Sequence, residues 1–197
     1  PLWYMDEKDA NDNLTGKRVT TSDYASANYY YVNKSSLPKV YGGFNTSLSW
    51  KGFDLSAIFA YSIGGYIYNR DITMILHNGS LEGRDWSTEI LKRWTPENRY
   101  TDVPALSTTS NNWNSASTRF LQNNSYMRLK NLTLSYDLPK QWISKLALSS
   151  VQVFVQGDNL FTIHRNQGLD PEQGITGITY YRYPAMRTIS GGINLSF

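Results

Sequence analysis

The stretch from Gly43 to Tyr61 constrains the fold most, because it reads as a β-hairpin with one apolar and one polar face. A short turn at Lys51-Gly52 joins its two predicted strands, and Gly52 can supply the positive φ that such a turn needs. If Trp50 pairs with Phe53, alternate residues share a face, and a slip of one residue would exchange the two faces. The predicted apolar face contains the even residues from Phe44 to Trp50 and the odd residues from Phe53 to Tyr61.

The opposite face of the predicted sheet is rich in hydroxyl and amide side chains, with Ile58 as an apolar exception. Its predicted members, over all the strands, are Asn45, Ser47, Ser49, Asp54, Ser56, Asn131, Ser135, Gln152, Gln156 and Asn194. A sheet with faces this different buries its apolar face either in a protein core or against the hydrocarbon of a bilayer.

Alternation of apolar and polar residues predicts five strands, at about 41–50, 53–63, 120–138, 150–156 and 189–197. The alternation breaks at Leu129-Lys130, which indicates a β-bulge in the third strand. A short helix is expected over Trp86–Trp94, with Asp85 as its cap and Pro96 after its end. Residues 1–40 are predicted to be a polar, extracellular loop region, and residues 41–197 to carry the strands and their connections.

The lengths of the connections decide between the two environments. They run short (51–52), long (about 64–119), fairly short (139–149) and long (about 157–187). In an antiparallel meander, alternate connections lie at the same end, so both long ones would project from one end. Outer-membrane barrels sort their loops this way, with short periplasmic turns and long extracellular loops. A soluble β-sandwich, such as a carbohydrate-binding module, is the alternative.

Composition is compatible with the membrane interpretation and gives no sign of a nucleic-acid partner. The 197 residues are 40% hydrophobic, yet no run approaches 18 apolar residues, so no transmembrane helix is predicted. Barrel strands alternate and do not need such runs. A formal net charge of +3 with scattered Lys and Arg gives no sign of a nucleic-acid partner.

Catalytic, metal and cofactor sites are not predicted. The chain has no cysteine, and its two histidines, His77 and His164, have no neighbouring ligand residues at metal-binding spacing. No nucleophile-elbow motif supports a hydrolase, so an enzyme is not expected. The Asp9-x-Asn11-x-Asn13 run begins like a calcium loop but lacks its later glycine and glutamate, so a solvated loop is the simpler interpretation.

Several motifs, taken in order, resemble one family. They are 38–44 (PKVYGGF), 49–56 (SWKGFDLS), 93–98 (RWTPEN), 101–104 (TDVP), 126–136 (YMRLKNLTLSY), 158–161 (DNLF), 168–172 (GLDPE), 183–184 (YP) and 192–197 (GINLSF). Their order and spacing are similar to the C-terminal half of the SusC/RagA-type TonB-dependent outer-membrane transporters.

The resemblance implies an all-β fold, namely the C-terminal strands of a transmembrane antiparallel barrel of the plugged class, which uses about 22 strands. The plug domain and the TonB-contacting segment would lie N-terminal and are expected to be absent from this chain. The implied function is TonB-dependent import of oligosaccharides or peptides across the bacterial outer membrane. The implied partners are a SusD-like surface lipoprotein acting as a lid and the TonB–ExbB–ExbD complex. A siderophore receptor or a porin is a nearer alternative than the sandwich.

Two groups of residues are candidate sites. The ending with Ile193, Leu195 and Phe197 is typical of the signal by which the barrel assembly machinery recognises outer-membrane strands, and these side chains would face lipid. The second group consists of aromatic residues in the long connections, which could contact substrate or the lid, or simply pack the loops. Its members are Trp86, Trp94, Trp113, Tyr180 and Tyr181.

Overall fold

The structure is a computed structural model that describes residues 2–79, 81, 83–107, 112–143, 148–166, 168, 170–172, 174, 176–179 and 181–197. Its strands are β1 (Trp3–Lys8), β2 (Leu14–Thr21), β3 (Val40–Trp50), β4 (Phe53–Ile63), β5 (Tyr66–Tyr68), β6 (Leu121–Asn123), β7 (Tyr126–Asp137), β8 (Ser150–His164) and β9 (Thr188–Ser196). The α-helices are α1 (Arg70–Ile75) and α2 (Lys140–Ile143), and 3-10 helices span Tyr24–Ser26, Thr88–Lys92, Asn112–Asn114 and Thr118–Phe120.

The main element is a five-stranded sheet in the order β3-β4-β7-β8-β9, with every neighbouring pair antiparallel. Smaller two-stranded sheets pair β1 with β2 and β5 with β6. The predicted pairing of Trp50 with Phe53 is confirmed, and the register continues without a shift to Val40 and Ile63. Lys51 and Gly52 have φ of 49° and 87°, so the turn is of the primed type that suits strand twist. The antiparallel all-β organisation that we predicted is therefore confirmed.

The predicted bulge at Leu129-Lys130 is also confirmed. Residues 58 and 59 of β4 pair with Asn131 and Leu129, which makes Lys130 the extra residue of β7. The pairing of β7 with β8 is also irregular at this point, because Leu129 pairs with Phe161 while Asn131 pairs with Asp158. Because β8 continues past this point to His164, the prediction that the fourth strand ends at 156 and that a loop starts at 157 is wrong.

Sorting of the connections by length is observed in the fold. The antiparallel order puts the 51–52 turn and the 138–149 connection at one end of the sheet. The connections 64–125 and 165–187 leave the opposite end. The third strand is also shorter than predicted, because Phe120 ends a 3-10 helix and Leu121–Asn123 forms β6 separately from β7.

The chain divides into two compact units. One consists of Ser35–Ile67, Gln122–Gly177 and Arg182–Phe197 and contains the five-stranded sheet. The other consists of Pro1–Lys34, Tyr68–Leu121 and Ile178–Tyr181, and its small core groups Leu76, Ile90 and Val103 with Ile72. Asn69 caps α1 by accepting a hydrogen bond from the Ile72 amide at 3.1 Å.

Two local expectations in this second unit need correction. The region predicted as polar loop contains the β1–β2 hairpin, whose turn is closed by the Asp9 carboxylate accepting the amides of Asn11 and Asn13 at 2.8 and 2.9 Å. These bonds lower the pKa of Asp9. The helix expected over Trp86–Trp94 is a 3-10 helix that starts later, because Ser87 rather than Asp85 caps it.

Among the described residues, no helix combines the length and the apolar character that crossing a bilayer requires.

Candidate functional site

The apolar face of the five-stranded sheet is largely left uncovered by the residues that the structure describes. Its side chains pair across strands, as in the stacked rings of Phe44 and Phe59, whose centroids lie 4.7 Å apart. Nearer the short turns, Phe53 packs on Tyr136 with ring centroids 4.4 Å apart. Leu48 nevertheless remains 67% exposed. No second layer of polypeptide covers this side chain in the described structure, so the described residues do not bury it.

The face predicted to be polar carries a network of side-chain hydrogen bonds. Asn131 donates to Asp158 at 2.8 Å across β7 and β8, and Gln156 donates to the same carboxylate at 3.3 Å. Closer to the short turns, Gln152 donates to Asp137 at 3.0 Å. The pairing therefore places amide and carboxylate groups on one face, where they satisfy one another. Such a face suits contact with water.

Apolar side chains also lie on this polar face, among them the large side chains of Ile58 and Phe154. The ladder places Ile58 opposite Asn131, as the sequence exception indicated. Phe154 pairs with Gly192, and a Cβ at Gly192 would lie 2.8 Å from the Phe154 ring. The absence of a side chain at Gly192 therefore makes room for the ring.

A charge cluster lies towards the end from which the long connections leave. Arg128, on the polar face opposite Ala60, donates to Asp170 at 2.6 Å and to Glu172 at 2.8 Å. Lys130 donates to Glu172 at 2.6 Å. The side chains of Arg128 and Asp170 are only 3% and 7% exposed. This cluster fixes the first part of the second long connection against the sheet. We call the described residues of 165–177 the strap.

Asp170 is the centre of this attachment. Its carboxylate accepts hydrogen bonds from the Glu172 amide at 2.9 Å and from the Ala185 amide at 2.6 Å, besides the guanidinium of Arg128. Burial alone would raise the pKa of Asp170, but the hydrogen bonds from Ala185, Glu172 and Arg128 lower that pKa below its ordinary value. The group is therefore held ionised, as a pairing with Arg128 requires.

The sequence pattern does not predict this cluster as a site, although its residues lie inside the motifs 126–136 and 168–172. The sequence holds one signal for the cluster, which is equal spacing of opposite charges. Arg128 and Lys130 stand two residues apart in a strand, and Asp170 and Glu172 stand two residues apart in a loop. Spacing alone could not show that Asp170 and Glu172 fold back onto the strand.

A cavity of about 350 Å³ lies beside the strap at the same end of the sheet. Its walls include Tyr41, Tyr66 and Tyr126 together with Pro38 and Pro171. The register places Tyr41 and Tyr126 on either side of Ser62, on the polar face. None of the described residues that line this cavity carries a charged side chain.

Comparison with known proteins gives the family. No protein-family model matches the chain. TonB-dependent receptor P3 of Formosa agariphila is 33% identical over 166 residues, which cover 79% of this chain and 16% of the receptor. SusC of Bacteroides thetaiotaomicron, a TonB-dependent receptor, is 27% identical over 168 residues, which cover 85% of this chain and 16% of SusC.

A solved structure of the RagAB peptide transporter matches the whole chain with a TM-score of 0.81 and 36% identity, over 21% of the matched chain. The closed-closed state of the RagAB peptide importer gives a TM-score of 0.78 and 35% identity over the same shares. The chain belongs to the SusC/RagA-type TonB-dependent transporters. It spans about a sixth of the length of the curated relatives it matches.

In this SusC/RagA-type chain, the predicted assembly residues lie on the last strand and at its end. Ile193 pairs with Val153 and Leu195 with Val151, while Phe197 follows the final strand residue. All three predicted side chains are exposed. Their position on the outermost strand is compatible with recognition by assembly machinery, which stays a prediction.

The aromatic residues predicted to meet substrate or lid have separate environments. Trp86 is half exposed, and the centroid of its ring lies 5.3 Å from that of buried His77. The backbone amide of Trp94 donates a hydrogen bond to the Val103 carbonyl at 2.7 Å. Tyr181 is exposed, and its amide donates to Asp71 at 3.1 Å. Tyr180 and the side chain of Trp113 lie outside the described residues. A role of this group in binding stays a prediction.

Proposed function

We propose that the five-stranded sheet is part of the wall of a transmembrane β-barrel in the bacterial outer membrane. The exposed apolar face would meet lipid, and the hydrogen-bonded polar face would line the interior. The long connections, together with residues 1–40, would be extracellular and the short ones periplasmic. The open edges of β3 and β9 would pair with strands outside this chain, since unpaired edges of this length are costly in a membrane.

We infer that the whole transporter imports peptides by a TonB-dependent mechanism. The observation that carries this proposal is the match of the entire chain to RagAB, which is named a peptide transporter, at 36% identity. SusC is less similar, at 27%. Oligosaccharides are the alternative cargo. The relatives matched are named receptors and transporters, which supports transport rather than catalysis.

The proposed mechanism needs partners. A surface lipoprotein of the SusD type would close over the extracellular end and capture cargo, as the paired name RagAB suggests for the neighbouring structure. The TonB–ExbB–ExbD complex would supply the energy for import. The barrel assembly machinery would recognise the strand that carries Ile193, Leu195 and Phe197.

Uptake in cells tests the proposed cargo. A strain that lacks the full-length gene, and the same strain complemented with it, would receive fluorescently labelled peptides or maltoheptaose. We expect energy-dependent peptide accumulation only in the complemented strain. Uptake of maltoheptaose without peptide uptake would replace the peptide assignment. Equal uptake of both probes after TonB is removed would contradict active transport and favour a porin.

A further inference from the structure

The cavity beside the strap is lined by tyrosines from two different strands of the five-stranded sheet. Tyr41 and Tyr126 belong to β3 and β7, with Ser62 of β4 between them. Because neighbouring strands lie about 4.8 Å apart, the backbones that carry these two tyrosines are separated by about 10 Å. That spacing leaves room for a flat group between the two side chains.

The wall formed by the strap is fixed by hydrogen bonds. The Asn124 side chain donates to the Pro171 carbonyl at 2.8 Å and accepts from Asn166 at 3.2 Å. On either side of Pro171, Asp170 and Glu172 are bound to Arg128. Pro171 is therefore held at the cavity by the bonds of its two neighbours and by the bond that its own carbonyl accepts. The side-chain amide of Asn124 is engaged in these bonds within the protein.

The chemistry of the lining selects the ligand. The described residues that line the cavity are tyrosine, proline, leucine, isoleucine, glycine, serine and asparagine. None of them could form an ion pair with a charged group of a ligand. A volume of about 350 Å³ is at the low end of the range for small-molecule pockets, which suits one part of a larger ligand. Aromatic and proline side chains pack well against tyrosine faces.

We propose that this cavity binds an uncharged, ring-bearing side chain of a transported peptide, such as phenylalanine, tyrosine or proline. Arg128 and Asp170 are positioning residues, since they hold Pro171 in place but do not themselves line this cavity. This proposal rests on peptide import as the proposed function, and it adds a preference for one class of residue within the peptide.

Titration calorimetry on the full-length transporter in detergent tests the site. The probes are two hexapeptides, Ala-Ala-Phe-Ala-Ala-Ala and hexa-alanine. We expect the phenylalanine peptide to bind about threefold to tenfold more tightly, because an aromatic contact contributes that much. Tyr126→Ala should reduce this ratio below about twofold, whereas Tyr126→Phe should keep it. Tyr183→Ala, which removes an exposed tyrosine that does not line the cavity, is the matched control and should keep it.

Asp170→Asn tests the positioning role. It should weaken binding of the phenylalanine peptide and accelerate hydrogen exchange at the Ala185 amide, with no change in exchange across β3 and β4. If the exchange rises but the ratio of the two affinities is unchanged, Asp170 is not a positioning residue for this site.

Other outcomes overturn the proposal in distinguishable ways. Equal affinity of the wild type for both peptides rejects the site but leaves peptide import standing. A preference that survives Tyr126→Ala places recognition elsewhere. If neither peptide binds while maltoheptaose binds, the proposed function fails and the site fails with it.

Discussion

The two faces of the five-stranded sheet organise their side chains in opposite ways. On the apolar face, rings pack in pairs such as Phe44 with Phe59, and Trp50 remains 64% exposed. On the polar face, amides and carboxylates bond to one another, and a charge cluster folds the strap back over the strands. The described residues leave the first face without an apolar covering, whereas the strap covers part of the second. The proposed barrel accounts for this difference by placing lipid on one side of the sheet and water on the other.

The largest expected effect comes from placing a charge on each face in turn. Leu48→Arg should destabilise the full-length transporter by about 2–4 kcal/mol, because the guanidinium would enter hydrocarbon near the midplane. Ser47→Arg, the adjacent residue on the polar face, should cost well under that amount. Guanidinium unfolding in phospholipid vesicles measures both. Equal losses for the two variants would remove the distinction between the faces.

A smaller effect is expected from filling the space over Gly192. A side chain at residue 192 would press on the Phe154 ring, since a Cβ there lies 2.8 Å from it. Overpacking of this kind costs about 1–3 kcal/mol, which Gly192→Val should show in the same unfolding assay. Phe154→Ala in the Gly192→Val background should recover most of the loss. No recovery would mean that the ring is not the obstacle.

Pairing on the apolar face gives a third, weaker signal. A double-mutant cycle with Phe44→Leu and Phe59→Leu should yield a coupling of about 0.5–1.5 kcal/mol, as expected for stacked rings. The parallel cycle with Leu48→Ala and Phe59→Leu should yield less, because those residues are not cross-strand partners. Equal coupling energies in the two cycles would argue against specific ring pairing.

Sequence predicted the sheet far better than it predicted the strap. The hairpin register followed from the strict alternation of residues 44–61 and the Lys51-Gly52 turn, which are local features. The sequence pattern ends β8 too early, because Gly157 and Asp158 look like the start of a loop, whereas pairing with β7 carries the strand through them. The strap could not be foreseen, since the contact between Arg128 and Asp170 joins residues 42 apart.

The smallest of the expected effects is the release of the strap from the sheet at acid pH. Because the folded pKa of Asp170 is lowered, its contribution is complete above the ordinary value of 3.8 and is lost as pH falls through the lower folded pKa. A nitroxide attached at Thr176→Cys, an exposed strap residue, should therefore become more mobile only below about pH 4. With Asp170→Asn the label should be mobile at every pH. Mobility that falls on acidification would contradict this sign.

The most direct test asks what surrounds the apolar side chains. Nitroxides at Leu48→Cys and Ser47→Cys can be introduced into a chain segment that has no native cysteine, and the full-length transporter can be reconstituted in phospholipid vesicles. We predict that the label at 48 collides mainly with oxygen, which dissolves in hydrocarbon, and the label at 47 with a water-soluble nickel chelate. Protection of the label at 48 from both reagents would show that it lies in a protein interior, and would contradict a lipid-facing surface.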